Sequence, residues 1–218
     1  MVQNEIFLIK SRFVLVGLML CISVGTTACT ALVLETAKKL REDRQTDDQV
    51  SDAQIGVSLL SALSDRGSSL LLDVNADVWE SRVMLTGTVT DAKVRQNLVQ
   101  MARSDKRIRK VHDEIQVLSA IEHARRLRVN RYKEEVSSEG LGRVVGDFWI
   151  ETKISVKLIA HQDVTSVNYR WRSVRNITYL IGRAQSQSEL TKVLEIISET
   201  NGVSQVKSFV ELKPMLKS

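Results

Sequence analysis

The sequence predicts an α+β protein made of two repeated α-β-β-α-β domains, each with two helices packed on one face of a three-stranded mixed sheet. Two observations predict this fold class. Residues 52–117 can be laid over residues 147–212 at a fixed offset of 95 without a gap. Within each copy, apolar side chains recur first at the spacing of a helix and then at the two-residue spacing of strands.

The two copies share their apolar positions and one glycine. A match over 66 residues without a gap favours duplicated domains, and two long copies are too few for a solenoid. The matched pairs include Ile55 and Ile150, Leu59 and Ile154, Leu63 and Leu158, Leu85 and Leu180, and Gly87 and Gly182.

The first element of the chain, residues 1–28, is predicted to be a secretory signal peptide. Lys10 and Arg12 precede twelve apolar or small residues, 13–24, and a small-residue exit follows. This apolar stretch is shorter than the roughly 18 residues that a transmembrane helix needs. An N-terminal membrane helix that is retained is the alternative.

Cys29 closes the stretch "TTAC", which resembles a bacterial lipobox with Ala28 before the modified cysteine. Cleavage at this point removes Cys21 and leaves one cysteine, so an intramolecular disulfide is impossible. We therefore predict that Cys29 is lipidated and that residues 29–51 are a lipid anchor and tether. Position 30, the residue after the modified cysteine, is Thr rather than Asp; in lipoproteins of the usual Gram-negative type this resembles a cargo that is passed to the outer membrane.

Each repeat is predicted to begin with a helix and to continue with two strands. In β-strand "SRVMLTGTV", Val83 and Leu85 alternate with Met84 as in a half-buried strand, and Gly87 is expected to end the strand or form a bulge. A second helix starts near Thr90 or Asp91, and near Ser186 or Ser188 in the other copy, because these side chains can cap free N–H groups. The predicted bounds are 52–65 and 147–160 for the first helices, 70–79, 81–89, 166–174 and 176–184 for the strands, and 107–117 and 202–212 for the closing strands.

The strand "VMLTGTV" and the exit "DKRIRKVHDEIQV", with "TYLIGRA" and "TNGVSQVKSFVEL" in the second copy, resemble the BON domain. Two such copies behind a lipobox resemble the dual-BON outer-membrane lipoproteins of the DolP type, in order of parts over residues 29–213. The resemblance implies a location at the periplasmic face of the outer membrane. It also implies that the first helix of the second domain contacts anionic phospholipid. The implied layout is a first BON-like domain at 52–117, a basic linker at 118–146, a second BON-like domain at 147–213 and a tail at 214–218.

The helix "DFWIETKISVKLIA" carries more apolar residues than its core contact requires. Ile150, Ile154 and Leu158 form one stripe, and a second stripe of apolar and basic residues lies about 100° or more away. At the offset of 95, positions of the second stripe are polar in the first copy, so the fold does not need them to be apolar. We predict that the side chains of the second stripe are exposed and bind phospholipid. The alternative is that this stripe packs on the first domain or on a protein partner. The predicted binding residues are Trp149, Lys153, Val156, Lys157 and Ile159.

The predicted linker contains the basic sequence "HARRLRVNRYKEE". One interpretation is a solvated helical connector; the other is a strip that touches anionic head groups. The basic residues are Arg125, Arg126, Arg128, Arg131 and Lys133.

Catalysis finds no support in the sequence. His112, His123 and His161 are the only histidines, and none has the spacing of a metal motif. There is no GxSxG motif and no glycine-rich phosphate loop. We therefore predict no catalytic residue, metal, cofactor or small-molecule substrate.

The net charge and the export signal restrict the partners. A net charge of +5 suits anionic lipid head groups or cell-wall polymers, and the export signal disfavours nucleic acid. We predict a lipid-anchored, periplasm-facing protein that recognises an anionic phospholipid membrane, supports outer-membrane integrity and has envelope proteins as further candidate partners. The alternative is a protein-interaction adaptor of the cell envelope that uses the same stripe as a subunit interface.

Overall fold

A computed structural model describes residues 42–67, 70–126 and 146–213 of the chain. The predicted signal peptide, Cys29, most of the tether, most of the linker and the tail lie outside these ranges. The described residues from Asp43 onward belong to one compact unit. They form two three-stranded mixed sheets with two principal helices each, which confirms the predicted α+β fold class.

In the first repeat, β2 is the central strand of the sheet. Strand β1 pairs with it antiparallel and β3 pairs with it parallel. A further stretch, residues 120–126, is helical. The elements are α1 Thr46–Arg66, α2 Leu70–Asp73, β1 Val74–Trp79, β2 Arg82–Val89, α3 Ala92–Ser104 and β3 Lys110–Val117.

The second repeat has the same topology, with β5 as the central strand. Its strand register copies that of the first repeat at the offset of 95: Val74 pairs with Gly87, and Tyr169 pairs with Gly182. The predicted duplication is thus confirmed. The elements are α4 Asp147–Ala160, a 3-10 turn Ser166–Asn168, β4 Tyr169–Val174, β5 Ile177–Ala184, α5 Gln187–Ser198 and β6 Gln205–Leu212.

Several predicted bounds were wrong at their ends. Helix α1 begins at Thr46 rather than at residue 52, and Asp47 and Asp48 in its first turn complement the helix dipole. Residues 70–73 and 166–168 are helical turns instead of strand, so both hairpins start later than predicted. The predicted caps resolve to Asp91 and Ser186, whose side chains accept from backbone N–H groups.

Each helix pair buries one apolar stripe against one face of its sheet. In α1 and in α4 the stripe residues are at most 3% exposed, and they pack with apolar side chains of the central strand and the second helix. Burial of one such side chain contributes roughly 1.5–3 kcal/mol. The stripe residues are Ile55, Leu59 and Leu63 in α1, and Ile150, Ile154 and Leu158 in α4.

An aspartate on each first helix holds the turn of the β-hairpin. Asp52 accepts hydrogen bonds from the backbone N–H groups of Glu80 and Ser81 at 2.6 and 2.8 Å. Asp147 accepts from the equivalent groups of the second hairpin at 3.0 and 3.1 Å. All four turn residues have positive φ, between 47° and 66°, as two-residue hairpin turns of this type require. The carboxylate offsets part of that strain.

Gly87 and Gly182 lie inside the central strands, so the prediction that Gly87 ends its strand or bulges was wrong. Strand β2 continues through Gly87 to Val89; it pairs with β1 as far as Gly87 and with β3 as far as Val89. A Cβ at Gly87 would lie 2.0 Å from the Asp73 carbonyl oxygen, and one at Gly182 would lie 2.2 Å from the Asn168 carbonyl oxygen. Both positions need glycine because the backbone before the first strand passes too close for any side chain.

The two sheets pack back to back, through the faces that carry no helices. Trp79 and Met84 of the first sheet meet Tyr179 and Ile181 of the second in a third apolar cluster, with Phe209 packed against it. Every residue of β2 is therefore buried, and the prediction of a half-buried strand was wrong. The order of layers is helix, sheet, sheet, helix, so the two helical layers face in opposite directions.

Polar contacts across this interface fix the relative orientation of the two repeats. Arg82 is 1% exposed and donates to the carbonyl oxygens of Phe209 at 2.6 Å and Gly182 at 2.8 Å. Arg172 donates from Nε to the Asp77 carboxylate at 3.0 Å. Burial raises the pKa of Asp77, although the Arg172 guanidinium opposes this effect. Within its own repeat, Arg172 also lies 3.6 Å from the Glu151 carboxylate.

Candidate functional site

The candidate site is the outward side of α4, which the sequence of this helix determines. The helix starts at Asp147, whose carboxylate binds the hairpin turn. Its three core residues recur at four-residue spacing and face the second sheet. The remaining apolar residues of the helix must therefore point toward solvent.

The α4 outer face consists of Phe148, Trp149, Val156 and Ile159, with Lys153 and Lys157 beside them. The four apolar side chains are 72%, 41%, 63% and 53% exposed. The rings of the two aromatic residues meet edge to face, with centroids 6.0 Å apart. Lys157 is exposed, but Lys153 is half-buried, contrary to the expectation that it is largely exposed.

The α4 outer face is the side of the second domain that points away from the first domain. The first domain packs on the opposite face of the second sheet, through the cluster around Trp79 and Tyr179. The alternative that the stripe packs on the first domain therefore does not hold for the described part of the chain. Large exposed apolar side chains grouped on one helix are typical of an interaction surface.

The charges on α4 are divided between its two sides. Both acidic residues point inward: Asp147 binds the hairpin turn, and Glu151 Oε1 accepts from the Ser173 N–H at 2.7 Å. Burial raises the pKa of Glu151, and the hydrogen bond from Ser173 opposes this. Lys153 and Lys157 form no ion pair with any described residue. The charge that α4 presents to solvent is therefore positive.

Helix α1 offers a direct comparison at the offset of 95. Phe148, Trp149, Val156 and Ile159 correspond to Ala53, Gln54, Ser61 and Ser64. The aromatic pair and the lysines are thus specific to the second repeat. Phe148 was not among the predicted binding residues, although the alanine at the matched position of the first repeat distinguishes it.

The described end of the linker is bound to the body of the protein. Arg126 donates to Thr88 Oγ1 and lies 3.9 Å from the Asp147 carboxylate. Arg125 is exposed. Arg128, Arg131 and Lys133 of the predicted basic strip lie outside the described residues.

The three histidines occupy separate places. His112 stacks on Phe209 at the interface of the sheets, with ring centroids 4.1 Å apart. His123 Nε2 lies 3.2 Å from the Asp73 carboxylate, and His161 follows the last residue of α4. In residues 42–67, 70–126 and 146–213, no three His, Cys, Asp or Glu side chains are grouped closely enough to hold a metal ion. Within the same ranges, no helix has the length and apolarity that crossing a bilayer requires.

Two relatives are similar over most of the chain. An "uncharacterized protein in gshII 5'region" of Anaplasma centrale is 33% identical over 164 residues, which are 75% of this chain and 96% of the relative. The outer membrane lipoprotein DolP of Haemophilus influenzae is 22% identical over 197 residues, 86% of this chain and 92% of the relative. The second relative is named as an outer-membrane lipoprotein.

Solved structures of CdsD, a structural protein of the type III secretion system of Chlamydia trachomatis, resemble the chain weakly. Two of them have TM-scores of 0.32 and 0.30 at 10% and 12% identity, and they cover 73% and 78% of this chain and 92% and 100% of their own. Similarity at this level carries no argument about function.

The family comparison agrees with the duplicated fold. The BON domain matches the chain twice, at residues 51–119 and 146–214. Each match contains one complete sheet and its principal helices, except that α1 begins at Thr46, before the first match. The chain therefore belongs to the BON domain family and carries two copies of that domain.

Proposed function

We propose that this chain is a lipid-anchored protein at the periplasmic face of the outer membrane that binds anionic phospholipid through the α4 outer face and so supports outer-membrane integrity. The observation that carries the proposal is the combination of four exposed apolar side chains with two lysines that form no ion pair with the described residues, all on one helix. The role is binding, without catalysis.

The composition of the α4 outer face matches the chemistry of a bilayer surface. Tryptophan is favoured at the level of the head groups because its ring is apolar and its N–H is polar. Lysine can extend its ammonium group to a phosphate while its alkyl chain stays in contact with apolar surface. Each basic residue near an anionic surface contributes about 1 kcal/mol.

A surface of this size binds weakly by itself, and an acyl chain at Cys29 would compensate for that weakness. A protein already confined to the membrane meets the lipid at a high effective concentration. The α4 outer face then responds to local lipid composition while the acyl chain provides attachment. The DolP relative, an outer-membrane lipoprotein by name, supports this location.

Vesicle flotation tests the binding. The protein from Thr30 to Ser218 lacks the acyl chain but keeps the whole compact unit, including both cores. We expect it to float with vesicles that contain phosphatidylglycerol, to remain behind with pure phosphatidylcholine vesicles, and to dissociate as salt is raised. If it floats with neither, lipid binding is refuted and the α4 outer face is better explained as a protein interface.

The anchor is tested separately, on the full chain in cells. Cys29→Ser should leave an uncleaved precursor, because lipid attachment precedes cleavage in this type of export. Mass spectrometry of the wild-type N-terminus should show a diacylated or triacylated Cys29. An unmodified Cys29, or an N-terminus elsewhere, would contradict the anchor without affecting the flotation result.

A further inference from the structure

Helix α1 has an exposed apolar face that the phospholipid proposal does not use. Val50, Val57 and Leu60 are 51%, 68% and 50% exposed. Their spacings of seven and three residues place them on one line along the helix, in the manner of a coiled-coil seam. Ala53 and Ser64 complete this line, and both are exposed. These five residues are the α1 outer face.

The α1 outer face itself contains no charged residue, although the exposed Asp47 and Asp65 flank its two ends and Arg107 donates to Ser58 on a neighbouring side of the helix at 2.9 Å. Between Gln49 and Ser64 the only charged residue is Asp52, which is 5% exposed and bound by Arg44 and the hairpin turn. A helix face that stays in water normally carries charged residues. Anionic lipid would find no cation on the face itself, and its uncharged centre offers a charged protein partner no opposite charge.

Large and small residues follow one another along the α1 outer face in an order that lets two antiparallel copies of the face fit together. We propose that a second copy of this chain packs on it, with the two α1 helices antiparallel and Val57 close to the two-fold axis. In this arrangement Leu60 lies opposite Ala53, and Val50 lies opposite Ser64, so each large side chain meets a small one. A parallel pair would instead set large against large and small against small.

Pairing through α1 leaves the α4 outer face free. The two helices belong to opposite outer layers of the four-layer fold, because the sheets between them pack back to back. The pairing is therefore independent of lipid and of the proposed function. One helix per copy buries less than the roughly 800 Å² per partner of a standard interface, so the pair is weak in dilute solution.

Cysteine cross-linking detects a weak pair, and the protein from Thr30 to Ser218 contains no native cysteine. Under mild oxidation without lipid, we expect Val57→Cys to form a dimer of twice the chain mass. The matched control is Leu72→Cys, an 86% exposed apolar residue of the same domain that lies outside the α1 outer face. Adding Leu60→Glu to Val57→Cys should abolish the cross-link, because it places charge in an uncharged seam.

Two results would overturn the proposal. If Val57→Cys cross-links no faster than Leu72→Cys, the α1 outer face does not pair with a second copy. If Val50→Cys alone cross-links as fast as Val57→Cys, the helices are parallel and the antiparallel arrangement is wrong. The double variant Val50→Cys, Ser64→Cys should cross-link, because the antiparallel pair brings these two positions together.

Discussion

Replacing two residues of α4 with their counterparts from the first repeat should remove lipid binding and keep the fold. Trp149→Gln and Val156→Ser introduce the side chains that α1 carries at the matched positions. Ile150, Ile154 and Leu158 are unchanged and are fully buried, so the core contact of the helix remains. We therefore expect the same unfolding midpoint, within the range of ordinary surface substitutions.

The expected loss of affinity follows from the exposed areas. A tryptophan presents about 200 Å², so the 41% of Trp149 that is exposed leaves about 80 Å² to bury, worth about 2 kcal/mol at ~25 cal/mol per Å². Val156 is 63% exposed and adds about 1–2 kcal/mol when it is fully immersed. Their sum of about 3–4 kcal/mol is an upper limit, because immersion in the interface is partial. It corresponds to at most about two to three orders of magnitude in affinity.

The assay is partitioning of the protein from Thr30 to Ser218 onto vesicles with phosphatidylglycerol, with circular dichroism and thermal unfolding as checks on the fold. A matched control is Val57→Ser with Leu60→Gln, which removes comparable exposed apolar area from α1. The control should bind like the wild type. Unfolding of the α4 double variant would show that its outer face is core, and unchanged binding would show that the lipid site lies elsewhere.

Three further predictions concern the fold. Gly87→Ala and Gly182→Ala should each destabilise the protein by about 2–6 kcal/mol through backbone strain and overlap, and denaturant unfolding that showed a change below about 1 kcal/mol would contradict this. Arg172→Leu should cost about 1–3 kcal/mol, less than for a fully buried pair because Arg172 is 38% exposed, by leaving Asp77 and Glu151 without this partner; Asp77→Asn should recover part of the loss in a double-mutant cycle. Burial, helped by nearby cations, lowers the pKa of His112 to about 4. Between about pH 4 and 6.5, the unfolded chain therefore binds a proton that the folded chain does not. The free energy of unfolding falls as the pH is lowered through this range. Between pH 7 and pH 4.5, the free energy of unfolding should therefore fall by less for His112→Gln than for the wild type. The difference between the two falls is at most about 3 kcal/mol, and it is smaller where solvent screens the ring.

The repeat and the topology could be predicted because local patterns determine them. Each first helix needs an apolar stripe at four-residue spacing, and that stripe survives in both copies even where the outer residues differ. The matched positions of Gly87 and Gly182 were evident from the sequence, but the reason why these positions need glycine was not. A clash with the Asp73 carbonyl depends on the path of the backbone just before β1, and residue spacing does not reveal that path.

The back-to-back packing of the sheets escaped prediction for a similar reason. "VMLTGTV" and "TYLIGRA" have apolar residues on both faces of the strand, a pattern compatible with burial on both sides as well as with the half-buried strand that was predicted. The sequence does not say what covers the second face. The role of Arg82 could not be predicted either, because in the sequence a buried arginine looks the same as an exposed one. In the structure it donates to two carbonyl oxygens of the other domain. On α4, the exposed apolar stripe was accessible to sequence reasoning because the first repeat served as a control.

The shared interface of the two sheets also sets a distance. Adjacent layers of packed sheets and helices lie about 10 Å apart, so three such spacings hold α1 about 30 Å from α4. Because Arg82 and Arg172 tie the sheets together, this height does not vary as it would between domains joined only by a linker. If α4 rests on a bilayer as proposed, the molecule would be a rigid spacer that holds α1 in the aqueous space at one fixed height above the lipid.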